Sequence, residues 1–335
     1  MNSLSLEAIE TGIDCWDRDI QRFVRSRRIS EYHPFTAYFE QLPEWDGTDR
    51  VSALARRVSD DPVWVNGFHR WMLGLSAQWM QLNPDNNRAN SVAPLLVSSR
   101  QGLGKSTFCR LLMPDRLKSY YTESYDLSSP ASAEAKLAAY GLINLDEFDK
   151  LGASKMPLLK NLMHASALNI RKAYNHSASS LPRIASFIGT SNRKDLLEDR
   201  TGARRFLCVS LKHAIDCTTS VEHKQLYAQL KTELLSGERS WFNKEEEQTI
   251  QQHNALFYKH VPEEEVFRLC FRFATEEDNP QEVLSLSATQ LFERMKAAHP
   301  SIMRGMTAYS VSRILPQLGE RVRTTKGNVY RVVEC

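Results

Sequence analysis

Apolar positions recur every three to four residues in FVRSRRI, VSALARRV and the tryptophan-rich VWVNGFHRWMLGLSAQWM, so residues 1–90 read as helices. Pro34, Pro43, Pro62 and Pro84 punctuate them. From Ser91 to about Leu211 the pattern changes to the short apolar runs VAPLLVSS, GLINLD, RIASFIGTS and RFLCVSL, separated by helical stretches that open at Lys105 and near Lys155. Runs that are apolar throughout suit strands buried on both faces, and their alternation with helices predicts an α/β core built on a largely parallel sheet, residues 91–211. Residues 212–262, with EHKQLYAQLKTELL and KEEEQTIQQHNALFYK, read as amphipathic helices capping that sheet. The tail, residues 263–335, holds SATQLFERMKAAHP and TAYSVSRILPQLG, then two β-like runs joined by Lys326, Gly327 and Asn328. Two helices followed by a hairpin predict a small winged-helix-like module.

Composition narrows this little. The 335 residues are 42% hydrophobic and 25% charged, ordinary for a globular chain with one large domain or two. No run approaches the roughly 18 apolar residues of a membrane helix, so no membrane association is expected. The opening MNSLSLEAIETGIDCW lacks a basic region and an unbroken apolar core, so cytoplasm is the expected compartment. Six cysteines without a C-x-x-C pair suggest reduced thiols rather than a zinc ribbon or a disulfide framework. A net charge of +3 says nothing of nucleic acid by itself, so charge clusters must carry that argument.

The chemistry concentrates in four places. In SSRQGLGKST an apolar strand ends at Ser99, a loop follows with Gly102, Leu103 and Gly104, and Lys105-Ser106-Thr107 opens a helix. This is the context of a P-loop, although the usual pattern begins with glycine where Ser99 stands. Glycines turn backbone N–H groups toward phosphate oxygens, Lys105 neutralises the β and γ phosphates of ATP, and Ser106 ligates Mg2+. In GLINLDEFDK, Asp146 and Glu147 follow a strand directly, Asp146 to hold the metal through water and Glu147 to polarise the attacking water. Asp149 and Lys150 read as surface residues. RIASFIGTSN ends in Thr190-Ser191-Asn192, of which Asn192 is placed to sense the nucleotide. EDRTGARRFLCVSL sets Arg200, Arg204 and Arg205 before a strand, where Arg204 or Arg205 is a candidate finger reaching a neighbouring subunit's phosphate.

The P-loop, TESYDLSSPASAEAKLAAYGLINLDEFDK, SSLPRIASFIGTSN and DRTGARRF together resemble the virulence-associated E family of phages and mobile elements, over about residues 30–260. The resemblance implies a P-loop, AAA+-like core similar to superfamily three helicases and an oligomeric ring, most simply a hexamer. Residue by residue it implies nucleotide contacts by Gly102, Gly104, Lys105, Ser106 and Thr107, acidic chemistry by Asp146 and Glu147, sensing by Asn192 and fingers at Arg204 and Arg205. No primase-type cluster is visible in the first 90 residues, so a primase is expected as a separate partner.

DNA contacts are expected at two places. ALNIRKAYNHSASSLPRIASF has β-prone ends around a polar tip, and similarity to superfamily three implies a pore-lining hairpin. Arg171, Lys172 and His176 would hold the backbone there and Tyr174 would stack. From Ser301 to the end, six basic residues against two acidic give a local net of +4, with Arg313 and Lys326 as the candidate contacts. The leading reading is therefore an ATP-dependent helicase or translocase on single-stranded or forked DNA. The alternative is a nucleotide-switched loader or replication regulator that does not unwind. A small-molecule kinase fits poorly with the arginine and sensor motifs.

Overall fold

The computed structural model describes every residue except 1, 14–15, 25, 27, 30–31, 83–87, 171–178, 198–201, 260–261, 276 and 325–326. Five helices come first: α1 (Asn2–Glu10), α2 (Asp17–Val24), α3 (Pro34–Glu40), α4 (Arg50–Arg56) and α5 (Pro62–Met80). Their starts are local chemistry. Pro34 and Pro62 sit in first turns, where no intrahelical N–H is needed. Asp49 accepts from Ser52 N at 3.0 Å and Asp61 from Val63 N at 2.8 Å, capping α4 and α5.

The central stretch contains β1 (Ala93–Val97), α6 (Lys105–Leu111), β2 (Tyr121–Thr122), α7 (Pro130–Ala139), β3 (Leu142–Leu145), α8 (Met156–His164), β4 (Ala167–Ile170), β5 (Ser179–Pro182), β6 (Ser186–Ser191) and β7 (Phe206–Ser210). Five of these strands form one sheet in the order β2-β3-β6-β1-β7, every neighbouring pair parallel. The protein therefore has the expected α/β core. The four apolar runs are its inner strands and one edge, while the two-residue β2 has no apolar run to announce it. β4 and β5 pair antiparallel as the stem of a hairpin.

Beyond the sheet lie α9 (His223–Leu235), α10 (Lys244–His253), α11 (Pro262–Cys270), β8 (Phe271–Phe273), β9 (Leu284–Leu286), α12 (Ala288–Ala298), α13 (Ala308–Leu318), β10 (Val322–Thr324) and β11 (Gly327–Glu334). The last two helices and the β10–β11 hairpin are the elements expected in the tail. They share an apolar cluster with α11, β8 and β9, including Val266, Phe271, Leu291 and Tyr330.

Both faces of the parallel sheet are covered, which is why its strands are apolar throughout. On one face Leu96, Ile188 and Leu207 pack with Phe35, Trp64 and Tyr227, so α3, α4, α5 and α9 belong to the same apolar core as the sheet. On the other, Leu95, Ile143 and Phe187 meet Leu137, Leu159 and Met163 of α7 and α8. Trp79 stacks on Tyr227 at 5.4 Å and donates to Gly141 O at 3.1 Å, so its indole N–H is satisfied inside the core.

Arg183, just after β5, is only 3% exposed and is bound by carbonyls rather than a carboxylate. It donates to Leu162 O (3.0 Å), Met163 O (2.6 Å), Ala185 O (2.7 Å) and Asn90 O (3.2 Å), tying the hairpin stem to the end of α8 and to the segment before β1. Burial pushes its pKa down to about 10.

β6 fits between β1 and β3 because residue 189 is glycine. A Cβ there would stand 2.6 Å from Leu95 Cδ2 and 3.0 Å from Leu145 O. Gly189→Ala should therefore destabilise by about 1–3 kcal/mol through overpacking, read as a lower thermal midpoint; an unchanged midpoint would show that the strands can part without cost.

Candidate active site

The carboxyl ends of β1, β6 and β3 lie side by side, and each delivers polar groups to one place. In register, Val97 faces Ser191 and Leu145 faces Gly189, so the loop after β1, the tip of β6 and the turn after β3 emerge together, where ligands of open parallel sheets bind.

The loop after β1 is shaped by two glycines in the left-handed region, Gly102 at φ 75° and Gly104 at φ 83°, which L side chains rarely adopt. Nothing lies within 4 Å of a Cβ built on Gly102, whereas one on Gly104 would stand 3.1 Å from Cys217 Sγ. Between them Leu103 is buried, and its carbonyl accepts from Ile215 N at 3.0 Å, anchoring the loop. Thr107 stands exposed on α6.

Lys105, the first residue of α6, is 9% exposed. Its Nζ donates to Ser98 O (3.3 Å), Arg100 O (3.4 Å) and Asn192 Oδ1 (3.0 Å), so the lysine and the amide expected to sense the nucleotide are in direct contact. Burial pulls the ammonium pKa below its usual value, and the charges of Asp146 and Asp149 oppose that pull.

Ser106 Oγ donates to Asp146 Oδ1 at 3.0 Å, and the same oxygen accepts from Thr190 Oγ1 at 2.6 Å. Two ligands at right angles on magnesium, each at about 2.1 Å, stand about 3 Å apart. Ser106 and Asp146 are both hard oxygen donors, and their hydrogen-bond spacing of 3.0 Å is compatible with neighbouring positions on such an ion, so the donor set suits magnesium. The positive-φ glycines and the open space at Gly102 fit the close approach of phosphate to backbone.

Glu147 has φ 50° and ψ 48°, left-handed geometry that is costly for a residue with a Cβ. Its backbone N–H donates to Thr190 Oγ1 at 3.3 Å, and its carboxylate pairs with Lys150 at 2.7 Å. Glu123 joins the acidic side of the site: with Asn144, Asp146 and Glu147 it lines a cavity of about 200 Å³. Burial opposes its ionisation, but bonds from Arg110 and Tyr121, each at 2.8 Å, outweigh it and hold its pKa below the usual range.

Asp149 differs from its expected role as a surface residue. Its Oδ1 accepts from Ser191 Oγ at 2.9 Å and Asn192 N at 3.0 Å, because the turn after β3 folds back over the end of β6. Asp149, Thr190 and Glu123 are thus residues of the site that sequence reasoning misses. The polar triplet Thr190-Ser191-Asn192 is a signal for Thr190, whereas no local pattern marks the other two.

The arginines lie elsewhere. Arg204 and Arg205 precede β7, and Phe206 pairs with Ala93, so they stand at the amino edge of the sheet. The loop lies beyond the other end of β1, whose 5 residues span roughly 16 Å at about 3.3 Å each. Arg204 pairs with Glu247 at 2.9 Å, and Arg205 Nε donates to His164 Nε2 at 2.8 Å. Burial and then the charges of Arg205 and Arg204 push the His164 pKa down. Arg313 is exposed on α13 and lines a cavity of about 240 Å³ with Asp149, Leu196 and Leu197. Arg171, Lys172, Tyr174, His176, Arg200 and Lys326 lie outside the described residues.

An α/β protein with a lysine, a hydroxyl, a carboxylate and an amide gathered at three parallel strand ends is the class that this geometry defines. The virulence-associated protein E-like domain model matches residues 39–259, and the chain belongs to that family. A second model, a domain of unknown function described from a B. theta gene, matches residues 260–332. No curated protein matches the chain significantly. Three solved structures of the C-terminal region of NrS-1 are similar to it. One, an A form apo structure, has 15% identity, covers 88% of this chain and 77% of that one, and has a TM-score of 0.46. A second apo structure has 17% identity, coverage of 89% and 78%, and a TM-score of 0.46. The third, also an A form apo structure, has 15% identity, coverage of 91% and 79%, and a TM-score of 0.48. Among the described residues no helix is long and apolar enough to cross a membrane.

The left-handed turn gives a direct test. Glu147→Gly and Glu147→Ala both remove the carboxylate and its Lys150 partner, but only alanine keeps the strain, so the glycine variant should be more stable by about 1 kcal/mol. Urea unfolding of the two variants measures the difference; equal stabilities would mean that residue 147 carries no strain.

Proposed function

We propose that the chain is a magnesium-dependent, AAA+-like P-loop ATPase of a phage or mobile element that acts on DNA during replication, as a ring of subunits. The observation that carries this reading is the hydrogen-bonded set at the strand ends, in which Lys105 meets Asn192 and Ser106 meets Asp146. Family membership supports the replication context.

In this reading the loop N–H groups of residues 102–106 orient the triphosphate, and Lys105 exchanges its carbonyl partners for phosphate oxygens. A magnesium ion held by Ser106 and Asp146 would supply charge neutralisation between phosphates. Thr190 keeps Asp146 facing Ser106, and its bond to the Glu147 N–H fixes the turn that presents the glutamate. Glu147 acts as the base once its carboxylate leaves Lys150, taking a proton from the attacking water. Asn192 orients that water. Arg204 and Arg205, a strand's length from their own loop, are suited to a neighbouring subunit's site, which is why a ring is proposed.

The segment joining β4 to β5, which holds Arg171, Lys172, Tyr174 and His176, is the proposed grip on DNA. The tail, read as a winged-helix-like module, adds Arg313 and Lys326 as further DNA contacts.

Three outcomes are expected of the purified full chain. Lys105→Ala should lose magnesium-dependent ATP binding by calorimetry and all hydrolysis, and a wild type that binds no ATP would overturn the reading. Arg205→Ala should bind ATP normally yet hydrolyse it about a thousandfold more slowly; normal turnover would remove the finger. Wild type, but not Lys105→Ala, should displace a strand from forked DNA. Hydrolysis stimulated by single-stranded DNA without displacement would favour a loader or replication regulator that does not unwind.

A further inference from the structure

The ladder joining β3 to β6 ends at Leu145 and Gly189, yet the residues with chemistry, Asp146 and Asn192, lie beyond that point. On the β1 side the backbone still reaches the tip of β6, Ser98 N donating to Ser191 O at 3.1 Å, whereas toward β3 side chains hold these ends in place. Thr190 does so for Asp146, and Asp149 does so for Asn192. One oxygen of Asp149 accepts the Asn192 backbone N–H at 3.0 Å and shares with Arg193 O, at 2.9 and 2.8 Å, the single proton of the Ser191 hydroxyl. Asp149 is itself held by its neighbour: Phe148 is 2% exposed and packs against Phe206 with ring centroids 5.0 Å apart, which seats the turn against the sheet. Ser191 Oγ also accepts from Arg193 N at 3.1 Å, so the chain on both sides of Asn192 is fixed. With its backbone held, Asn192 places Oδ1 3.0 Å from Lys105 Nζ.

We propose that Asp149 is a positioning residue for ATP hydrolysis, acting through Asn192 by fixing the backbone from which the amide meets Lys105. This rests on the nucleotide reading above. The arrangement links the acidic turn to the sensing amide, so a movement of either is felt by the other. The hydrogen bonds of Asp149 run to Ser191 and Asn192, not to Lys105 or Ser106; its charge also bears on Lys105, and Asp149→Asn, which removes the charge and keeps the acceptor, separates that contribution from the position of the amide.

The test is steady-state hydrolysis of magnesium-ATP by the full chain with single-stranded DNA, beside calorimetric ATP binding and thermal melting. Asp149→Ala should lower kcat about ten- to a hundredfold while KM for ATP stays within about twofold, because charge-assisted bonds to a distant partner are lost and the loop is untouched. Asp149→Asn keeps an acceptor oxygen and should recover kcat to within about threefold of wild type. Asp149→Glu keeps the charge but displaces the acceptor, so it should lose kcat like the alanine variant, and it serves should that variant fail to fold. The double variant Asp149→Ala with Asn192→Ala should be no slower than Asn192→Ala alone. Wild-type kcat in Asp149→Ala or Asp149→Glu, or losses that multiply in the double variant, would overturn the inference while leaving the nucleotide reading intact. A wild type that binds no ATP would overturn both.

Discussion

The parallel pairing of β6 with β1 on one side and β3 on the other is the constraint on which the site rests. Glycine at 189 lets the three backbones lie close enough for Leu95 and Leu145 to pack against the middle strand. Once that register is set, the loop at Lys105, the amide of Asn192 and the carboxylate of Asp146 emerge at the same edge without further instruction. Short side-chain bonds then do what the ladder no longer reaches: Thr190 to Asp146, Ser106 to Asp146, and Lys105 to Asn192.

The sheet also separates two sets of polar side chains by its two strand ends. Residues suited to a nucleotide gather at the carboxyl ends of the strands, whereas Arg204, Arg205 and the β4–β5 stem lie toward the amino ends. A parallel sheet has such a polarity by construction, because every strand begins on one side and finishes on the other. In the proposed ring, the arginine edge of one subunit would serve the loop edge of the next.

Much of this is legible in the sequence where the chemistry is local. The Gly-Lys-Ser turn, the apolar runs of β1, β3, β6 and β7, and the helix start at Lys105 each depend on neighbours within a few positions. Asp149 is not legible, because its partners Ser191 and Asn192 lie 42 and 43 residues away and nothing in DEFD announces them. Glu123 follows β2, a strand of two residues without an apolar run, and so is missed with it. The helical character of α5 is plain from its tryptophans, but where it packs is not. Trp64, Trp71 and Trp79 share one face of the helix, but Leu73 and Ala77 are buried on the opposite one, so the helix has apolar surface on more than one side, and the sheet supplies one of the partners.

Arg183 has a consequence for how the hairpin responds to its surroundings. Its guanidinium is held by carbonyl dipoles at a buried position rather than paired with a carboxylate at the surface, and mobile ions screen such buried contacts weakly. A pKa of about 10 keeps it charged through neutral pH. The attachment of the hairpin stem should therefore be nearly indifferent to ionic strength, so any change in the protein's behaviour with added salt must arise at exposed charges and not from loosening of the stem.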